Sequence, residues 1–217
     1  MKSKTHPALE SRAKRMLDLA VAALSLAMMA PVMCVAAVCI RITMGSPALF
    51  RQVRPGLHGR PFTLLKFRTM NHELGPDGAP LPDAQRISRL GRMLRQTSMD
   101  ELPELFNVLA GDMSLVGPRP LLPEYLEMYT PRQARRHNVR PGLTGLTQVS
   151  GRNGLSWEQK FELDLTYIDR WSLWLDLKIL ALSVREVFAR RGVSASGHAT
   201  MPRFNGSTAS PKDGGAK

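Results

Sequence analysis

The chain has 217 residues and a formal net charge of +12 at pH 7, a balance that favours anionic partners such as lipid headgroups, nucleotide phosphates or nucleic acid. Aromatic residues are only 6% and no basic stretch is interleaved with stacking rings, which argues against a single-strand nucleic-acid platform. The two cysteines, Cys34 and Cys39, share an apolar run without CxxC spacing, and the five histidines are scattered, so neither a disulfide framework nor a Cys- or His-based metal site is implied.

Residues 1–11 read as a disordered leader. Arg12, Lys14 and Arg15 then precede an apolar stretch from Met16 to Ile40, about 25 residues and enough to cross a bilayer. Three readings compete for it. A cleaved signal peptide would have a basic start and a shorter apolar run. A straight spanning helix fits the length. A re-entrant helix would enter the membrane, bend and return to the same side. Arg12, Lys14 and Arg15 lie before the run, and Arg41, Arg51 and Arg54 lie after it. Positive residues mark the cytoplasmic side, so charge at both ends favours re-entry. Pro31 removes one intrahelical hydrogen bond and supplies a kink. For residues 12–43, length alone favours a spanning helix, while the charge at both ends and Pro31 favour a re-entrant one.

Residues 44–193 read as one domain on the cytoplasmic face, and 194–217, rich in Gly, Ser and Thr, as a largely flexible tail. Ala48–Val53 and Phe62–Phe67 flank a Pro55-Gly56 turn and predict a β-hairpin. Residues 71–83 are a Gly- and Pro-rich loop. Ile87 to Leu94 predicts a short basic helix, and Leu121 to Tyr129 another short one. Residues 131–140 carry Arg132, Arg135, Arg136 and Arg140, and predict a helix lying on anionic lipid. The segments 141–145 and 151–154 read as loops whose glycines permit close approach to a ligand. Residues 156–190 are mostly helical. Trp171, Trp174, Leu175, Leu177 and Leu180 form a face suited either to a membrane interface or to the core.

Chemistry concentrates between Ser98 and Pro120. Two adjacent carboxylates, Asp100 and Glu101, stand just before Leu102-Pro103, and Glu104–Leu109 predicts a helix stopped by Gly111. Negative charge is favoured at a helix start, which keeps a carboxylate ionised for use as a nucleophile or metal ligand. The structural alternative is a capping box, Ser98-x-x-Glu101, with Asp100 merely solvated. Around the pair lie Lys66, Arg68, Arg89, Arg92, Arg95 and the rigid turn Gly117-Pro-Arg-Pro120. Carboxylates among cations suggest a site for a multiply charged anion with a divalent metal.

The ordered set Arg54-Pro-Gly56, Lys66-Phe-Arg-Thr-Met70, Ser98-Met-Asp-Glu-Leu-Pro103, Leu105-Phe-Asn107, Gly111-Asp-Met-Ser114, Gly117-Pro-Arg-Pro120, Arg140-Pro-Gly-Leu-Thr-Gly145 and Gly151-Arg-Asn153 resembles the bacterial sugar transferases, the small monotopic phosphoglycosyl transferases. The resemblance covers about Lys14 to Gly206. It implies an α+β, mainly helical membrane-associated domain at the cytoplasmic face of the inner bacterial membrane, with residues 12–43 as a re-entrant membrane helix kinked at Pro31. It implies transfer of a sugar phosphate from a UDP-sugar to polyprenyl (undecaprenyl) phosphate, with UMP released, as the first membrane step of surface glycan biosynthesis. In that chemistry Asp100 is the nucleophile and forms an aspartyl phospho-sugar. Glu101 is metal ligand or proton handler, and Mg²⁺ is held by Asp100 and Glu101. Lys66, Arg95, Arg119, Arg152 and Asp176 become candidate phosphate, nucleotide or other substrate contacts. Ala30-Pro31 departs from the Ser-Pro that the family often has at its break. Anionic membrane lipid is the expected surface partner, no nucleic acid is expected, and homo-oligomerisation stays open. The competing class is a non-enzymatic, basic, membrane-anchored binding protein.

Overall fold

The computed structural model describes residues 11–71, 75, 78–79, 81–151, 154–189, 204 and 206. The expected leader apart from Ser11, Arg152, and all of the expected tail except Phe204 and Gly206 lie outside the described residues. Helix dominates what is described, with two small two-stranded sheets.

Helix α1 runs from Arg12 to Met44 as one element with Pro31 inside it. Proline removes one N–H bond, and the helix continues through it as a single element. Packing accounts for the continuity. Lys14, Asp18, Ala22, Met33, Ala36 and Ile40 are buried along one stripe, with Leu26 and Met29 partly buried between them. Both halves thus rest on one body. The opposite face exposes Met16, Leu24, Met28, Val35, Val38 and Ile42. At 1.5 Å per residue the helix is roughly 50 Å long, and by length and composition it suffices to cross a membrane.

Polar contacts fasten both ends. Near the start, Arg15 donates to the carbonyls of Val108 (2.7 Å) and Leu109 (3.1 Å), and Asp18 accepts from Ser114 Oγ (2.8 Å) and the Leu115 N–H (3.0 Å). At the far end the buried Arg68 guanidinium donates to the carbonyls of Met44, Gly45 and Ser46. A cation there also answers the negative end of the helix dipole.

The expected hairpin is present: β1 (Leu49–Pro55) pairs antiparallel with β2 (Pro61–Phe67), Leu49 opposite Phe67. A short helix α2 (Asp83–Arg86) and then α3 (Arg89–Gln96) follow, the latter capped by Ser88 Oγ accepting from the Gly91 N–H. A Cβ on Gly91 would lie 1.9 Å from the Thr69 carbonyl oxygen, so only glycine lets α3 sit this close to the end of the hairpin. Helix α4 (Glu104–Ala110) ends at Gly111, whose φ of 95° is the left-handed conformation glycine tolerates.

Strand β3 (Ser114–Val116) pairs in parallel with β4 (Gly142–Thr144). Part of the segment read as a 141–145 loop is thus a strand. Residues 123–128 form a 3₁₀ helix where a short helix was expected. The basic stretch is α5 (Pro131–Ala134) continued by a 3₁₀ turn (Arg135–Asn138), and its arginines are engaged by the protein. Arg132 pairs with Glu162, Arg135 with Asp169 and Arg136 with Asp164, while Arg140 donates to the Gly111 carbonyl. Those partners lie on α7 (Trp157–Asp169), which follows the short α6 (Leu146–Val149) and precedes α8 (Leu173–Ala189). The face read from Trp171 to Leu180 divides. Trp171, Leu175 and Leu180 join the core, whereas Trp174 is 76% exposed and Leu177 is exposed beside it.

Candidate active site

Asp100 and Glu101 do not stand in a regular first turn. They occupy a 3₁₀ turn, Met99–Glu101, introduced by Ser98 at φ 55°. Ser98 makes no side-chain cap, so the capping-box reading is corrected. The left-handed kink separates this turn from α3 and swings the carboxylates toward the hairpin. Lys66 comes from the last turn of β2, where Asn107 of α4 fixes the register: its Oδ1 accepts from the Leu65 N–H (3.0 Å) and its Nδ2 donates to the Thr63 carbonyl (2.8 Å).

Three elements converge on Glu101. Its Oε1 accepts from Lys66 Nζ at 2.7 Å and from Arg119 Nη2 at 2.5 Å. Arg119 stands on the Pro118-Arg-Pro120 turn after β3, and Arg54 of β1 donates to the Pro120 carbonyl at 3.4 Å. Lys66 also lies 3.0 Å from Oε1 of Glu104, the first residue of α4. Glu104 is only 2% exposed, and its Oε1 has no hydrogen bond. Arg95 is held by Nε donating to Thr69 Oγ1 at 3.0 Å. Asp100 is half-buried, and its carboxylate has neither a hydrogen bond nor an ion pair among the described residues.

Electrostatics differ along this short run. Burial, and then the charge of Glu101, push Asp100 up to about 6 against the pull of Lys66, Arg95 and Arg119. Burial works against Glu101 too, but Arg119 and Lys66 outweigh it and hold this carboxyl well below the usual range. Glu104 is pushed up to about 7, chiefly by burial. For Lys66, burial opposes the charge, and Glu101 and Glu104 more than compensate. Glu101, aided by Glu104, keeps Arg119 firmly charged. The result is one committed anion, two committed cations, and an Asp100 carboxylate with unused bonding capacity.

A divalent metal fits this donor set only in part. Asp100 and Glu101 offer hard oxygens of the kind Mg²⁺ takes. Among the described residues, though, no group of three or more His, Cys, Asp or Glu is arranged to hold a metal ion. A cation here would draw its remaining ligands from substrate phosphates and water, which is the usual habit of Mg²⁺.

A family profile described as bacterial sugar transferase matches residues 9–190 of this chain. The chain belongs to the bacterial sugar transferase family. A sugar transferase of Bacillus subtilis named EpsL and described as uncharacterized is 54% identical over 194 residues, spanning 89% of this chain and 96% of the relative. A Caulobacter vibrioides relative named UDP-glucose:undecaprenyl-phosphate glucose-1-phosphate transferase is 49% identical over 181 residues, spanning 79% of this chain and 68% of the relative. An Escherichia coli relative of the same name is 39% identical over 191 residues, and the match covers 40% of its length. This sugar transferase is thus an enzyme, a phosphoglycosyl transferase, and the non-enzymatic alternative is set aside.

Of the expected site residues, the fold gathers Asp100, Glu101, Lys66, Arg95 and Arg119 around one point. Arg152 lies outside the described residues. Asp176 lies apart from the cluster, 1% exposed, where it accepts from Lys14 Nζ (2.6 Å), Tyr167 Oη (2.8 Å) and Trp171 Nε1 (3.0 Å) and ties α1 to α7 and α8. Glu104 is the residue that sequence reading missed. Its i, i+3 spacing from Glu101 was the available signal.

Proposed function

We propose that this sugar transferase moves a sugar phosphate from a UDP-sugar to polyprenyl (undecaprenyl) phosphate by way of a covalent intermediate on Asp100. The observation that carries the reading is an Asp100 carboxylate with no hydrogen bond or ion pair among the described residues, amid the cations of Lys66, Arg95 and Arg119. The names of the relatives supply the chemical class of donor and acceptor.

The steps balance without a proton donor. An oxygen of ionised Asp100 attacks the β-phosphorus, the bond to the bridging oxygen breaks, and UMP leaves with the electron pair. A phosphate oxygen of the polyprenyl phosphate then attacks the same phosphorus. The aspartyl–phosphorus bond breaks, Asp100 regains its carboxylate, and a polyprenyl-diphospho-sugar departs. Charge neutralisation and positioning dominate such transfers. Arg95, Arg119 and Lys66 receive the diphosphate oxygens, and Glu101 holds the latter two cations in register. Mg²⁺, held by Asp100 and Glu101 together with phosphate oxygens, would supply further neutralisation when bound. Activity should disappear with a chelator and return with Mg²⁺; full turnover in excess chelator would remove the metal.

The anchor belongs to the same reading. Both ends of α1 are fastened to one body, and its outer face is apolar from Met16 to Val38. An apolar face of that extent calls for lipid. The helix then enters the membrane from the cytoplasmic face without separating from the domain, and Asp100 stays at the interface between a soluble donor and a lipid acceptor. On this reading the reaction is the first membrane step of surface glycan biosynthesis. Tags at Met1 and Lys217 should report the same, cytoplasmic side; a periplasmic Met1 tag would refute this topology.

The test of the reaction is UMP release from a panel of UDP-sugars by detergent-solubilised protein with polyprenyl phosphate. One donor should yield UMP and a lipid-linked diphospho-sugar in equal amounts. Absence of UMP with every donor would overturn the reading.

A further inference from the structure

Behind the Arg119 turn lies a charged pair that the steps above do not use. Arg136 and Asp164 are each 4% exposed. The Arg136 guanidinium donates to Asp164 Oδ2 from Nε (3.1 Å) and from Nη2 (2.7 Å). The same Nη2 donates to the backbone carbonyl of Arg119 at 2.7 Å. Asp164 Oδ1 accepts from Thr147 Oγ1 at 2.8 Å. The rings of Tyr129 and Phe161 each lie 5.8 Å from the guanidinium carbon.

A buried ion pair is weak evidence for stability, because apolar residues of similar volume often do as well. This pair has a donor directed at one particular carbonyl. That carbonyl belongs to the residue whose side chain reaches Glu101. Its two neighbours are fixed as well. The Gly142 N–H of β4 donates to the Pro118 carbonyl at 3.0 Å, and Arg54 of β1 donates to that of Pro120. Three consecutive carbonyls of the turn are thus held from three different elements. Pro118 and Pro120 supply fixed φ angles but no N–H of their own, so outside donors must define where the turn sits.

We propose that Arg136 and Asp164 are positioning residues of the transfer, fixing the Arg119 backbone so that its guanidinium stays on Glu101 and faces the donor diphosphate. Helix α7 thereby acts on the reaction without touching substrate. The kinetic half of the test rests on the transferase reading above; the chemical half does not.

The chemical half measures how fast phenylglyoxal modifies Arg119, located by peptide mass, in the full-length protein without substrate. Arg136→Lys keeps the charge but loses the Nε contact with Asp164, and its shorter stem draws the cation back from the Arg119 carbonyl. It and Asp164→Asn should speed modification of Arg119. Arg135→Gln, which breaks only the exposed pair with Asp169, should leave the rate at wild type. In the kinetic half, Arg136→Lys should lower kcat/KM by about 10²-fold, the scale of a misplaced catalytic contact. In an Arg119→Ala background the same change should cost no more than about twofold, because the two act through one another. Unchanged labelling of Arg119, or an equal loss of kcat/KM in both backgrounds, would reduce the pair to ordinary core structure. Should Arg136→Lys and Asp164→Asn fail to fold, Thr147→Val carries both halves in milder form. If wild type turns over no UDP-sugar, the transferase reading fails and the labelling alone decides the proposal.

Discussion

Two clusters in this molecule are built from the same residue types and behave oppositely. In the anchor, Lys14 meets Asp176, and Tyr167, Trp171 and the Val116 carbonyl complete their bonds in full burial. In the candidate catalytic cluster, Lys66 is shared between Glu101 and Glu104, Glu104 keeps a buried oxygen without a hydrogen bond, and Asp100 has no hydrogen bond or ion pair among the described residues. A saturated set of polar groups holds elements together, because breaking it strands a charge in the interior. An unsaturated one has capacity left for a substrate. The distinction lies in unspent bonding potential, which residue identity alone does not reveal.

The sharpest way to break this comparison is Asp100→Asn. Turnover should fall by at least about 10³-fold, because the covalent route is lost while the shape is kept. Stability should move the other way. The Asp100 pKa is raised to about 6, so above that pH the folded wild type carries a charge it disfavours, and the asparagine variant does not. The variant should therefore melt higher than wild type at pH 8. The gap should close as pH falls from about 6 toward the ordinary aspartate value near 4, where wild type is protonated in the fold. A variant of unchanged activity would return Asp100 to the surface carboxylates.

Lys14→Met probes the other cluster. It leaves Asp176 buried against Tyr167 and Trp171 without its cation, and should cost about 3–5 kcal/mol of stability. Thermal unfolding in detergent would show this, while the folded fraction keeps its turnover. A large loss of kcat with normal melting would move Asp176 into the chemistry.

A third effect is the pH profile. The nucleophile must be ionised, so kcat/KM should fall about tenfold per unit as pH drops below the Asp100 value of about 6. Glu101, held low by Arg119 and Lys66, should contribute no limb in that range. A flat profile down to pH 4.5, about the ordinary carboxylate range, would contradict the assignment. The smallest effect belongs to Arg132→Gln, which removes an exposed pair with Glu162. It should shift stability by less than about 1 kcal/mol.

How much of this was legible in the sequence follows the range of the forces involved. The hairpin was readable because alternation and the Pro55-Gly56 turn are local. So was the end of α4, where Gly111 takes a conformation other residues avoid. Asp100 and Glu101 stood out for the density of charge around them. The parallel β3–β4 pair did not, since each strand has three residues and its partner is remote in the chain. Glu104 looked like an ordinary helix residue because its burial depends on Lys66 arriving from β2. Asp176 stands as a candidate contact on the family resemblance alone, and its pairing with Lys14, 162 residues away, was not legible. The arginines of residues 131–140 read as one basic surface, and the sequence did not show that α7 supplies Glu162, Asp164 and Asp169 as their partners or that Arg136 is buried. Pro31 marked a local loss of one helical hydrogen bond, and packing along both halves of α1 carries the helix through it.

The central claim is that Asp100 carries the phospho-sugar between donor and acceptor. The most direct measurement is intact mass under quenched single-turnover conditions, with the preferred UDP-sugar and no polyprenyl phosphate. The protein should gain one phospho-sugar, UMP should appear in equal amount, and peptide mapping should find the adduct on Asp100. No adduct, with UMP released only once polyprenyl phosphate is added, would mean direct transfer and would leave Asp100 as no more than a metal ligand.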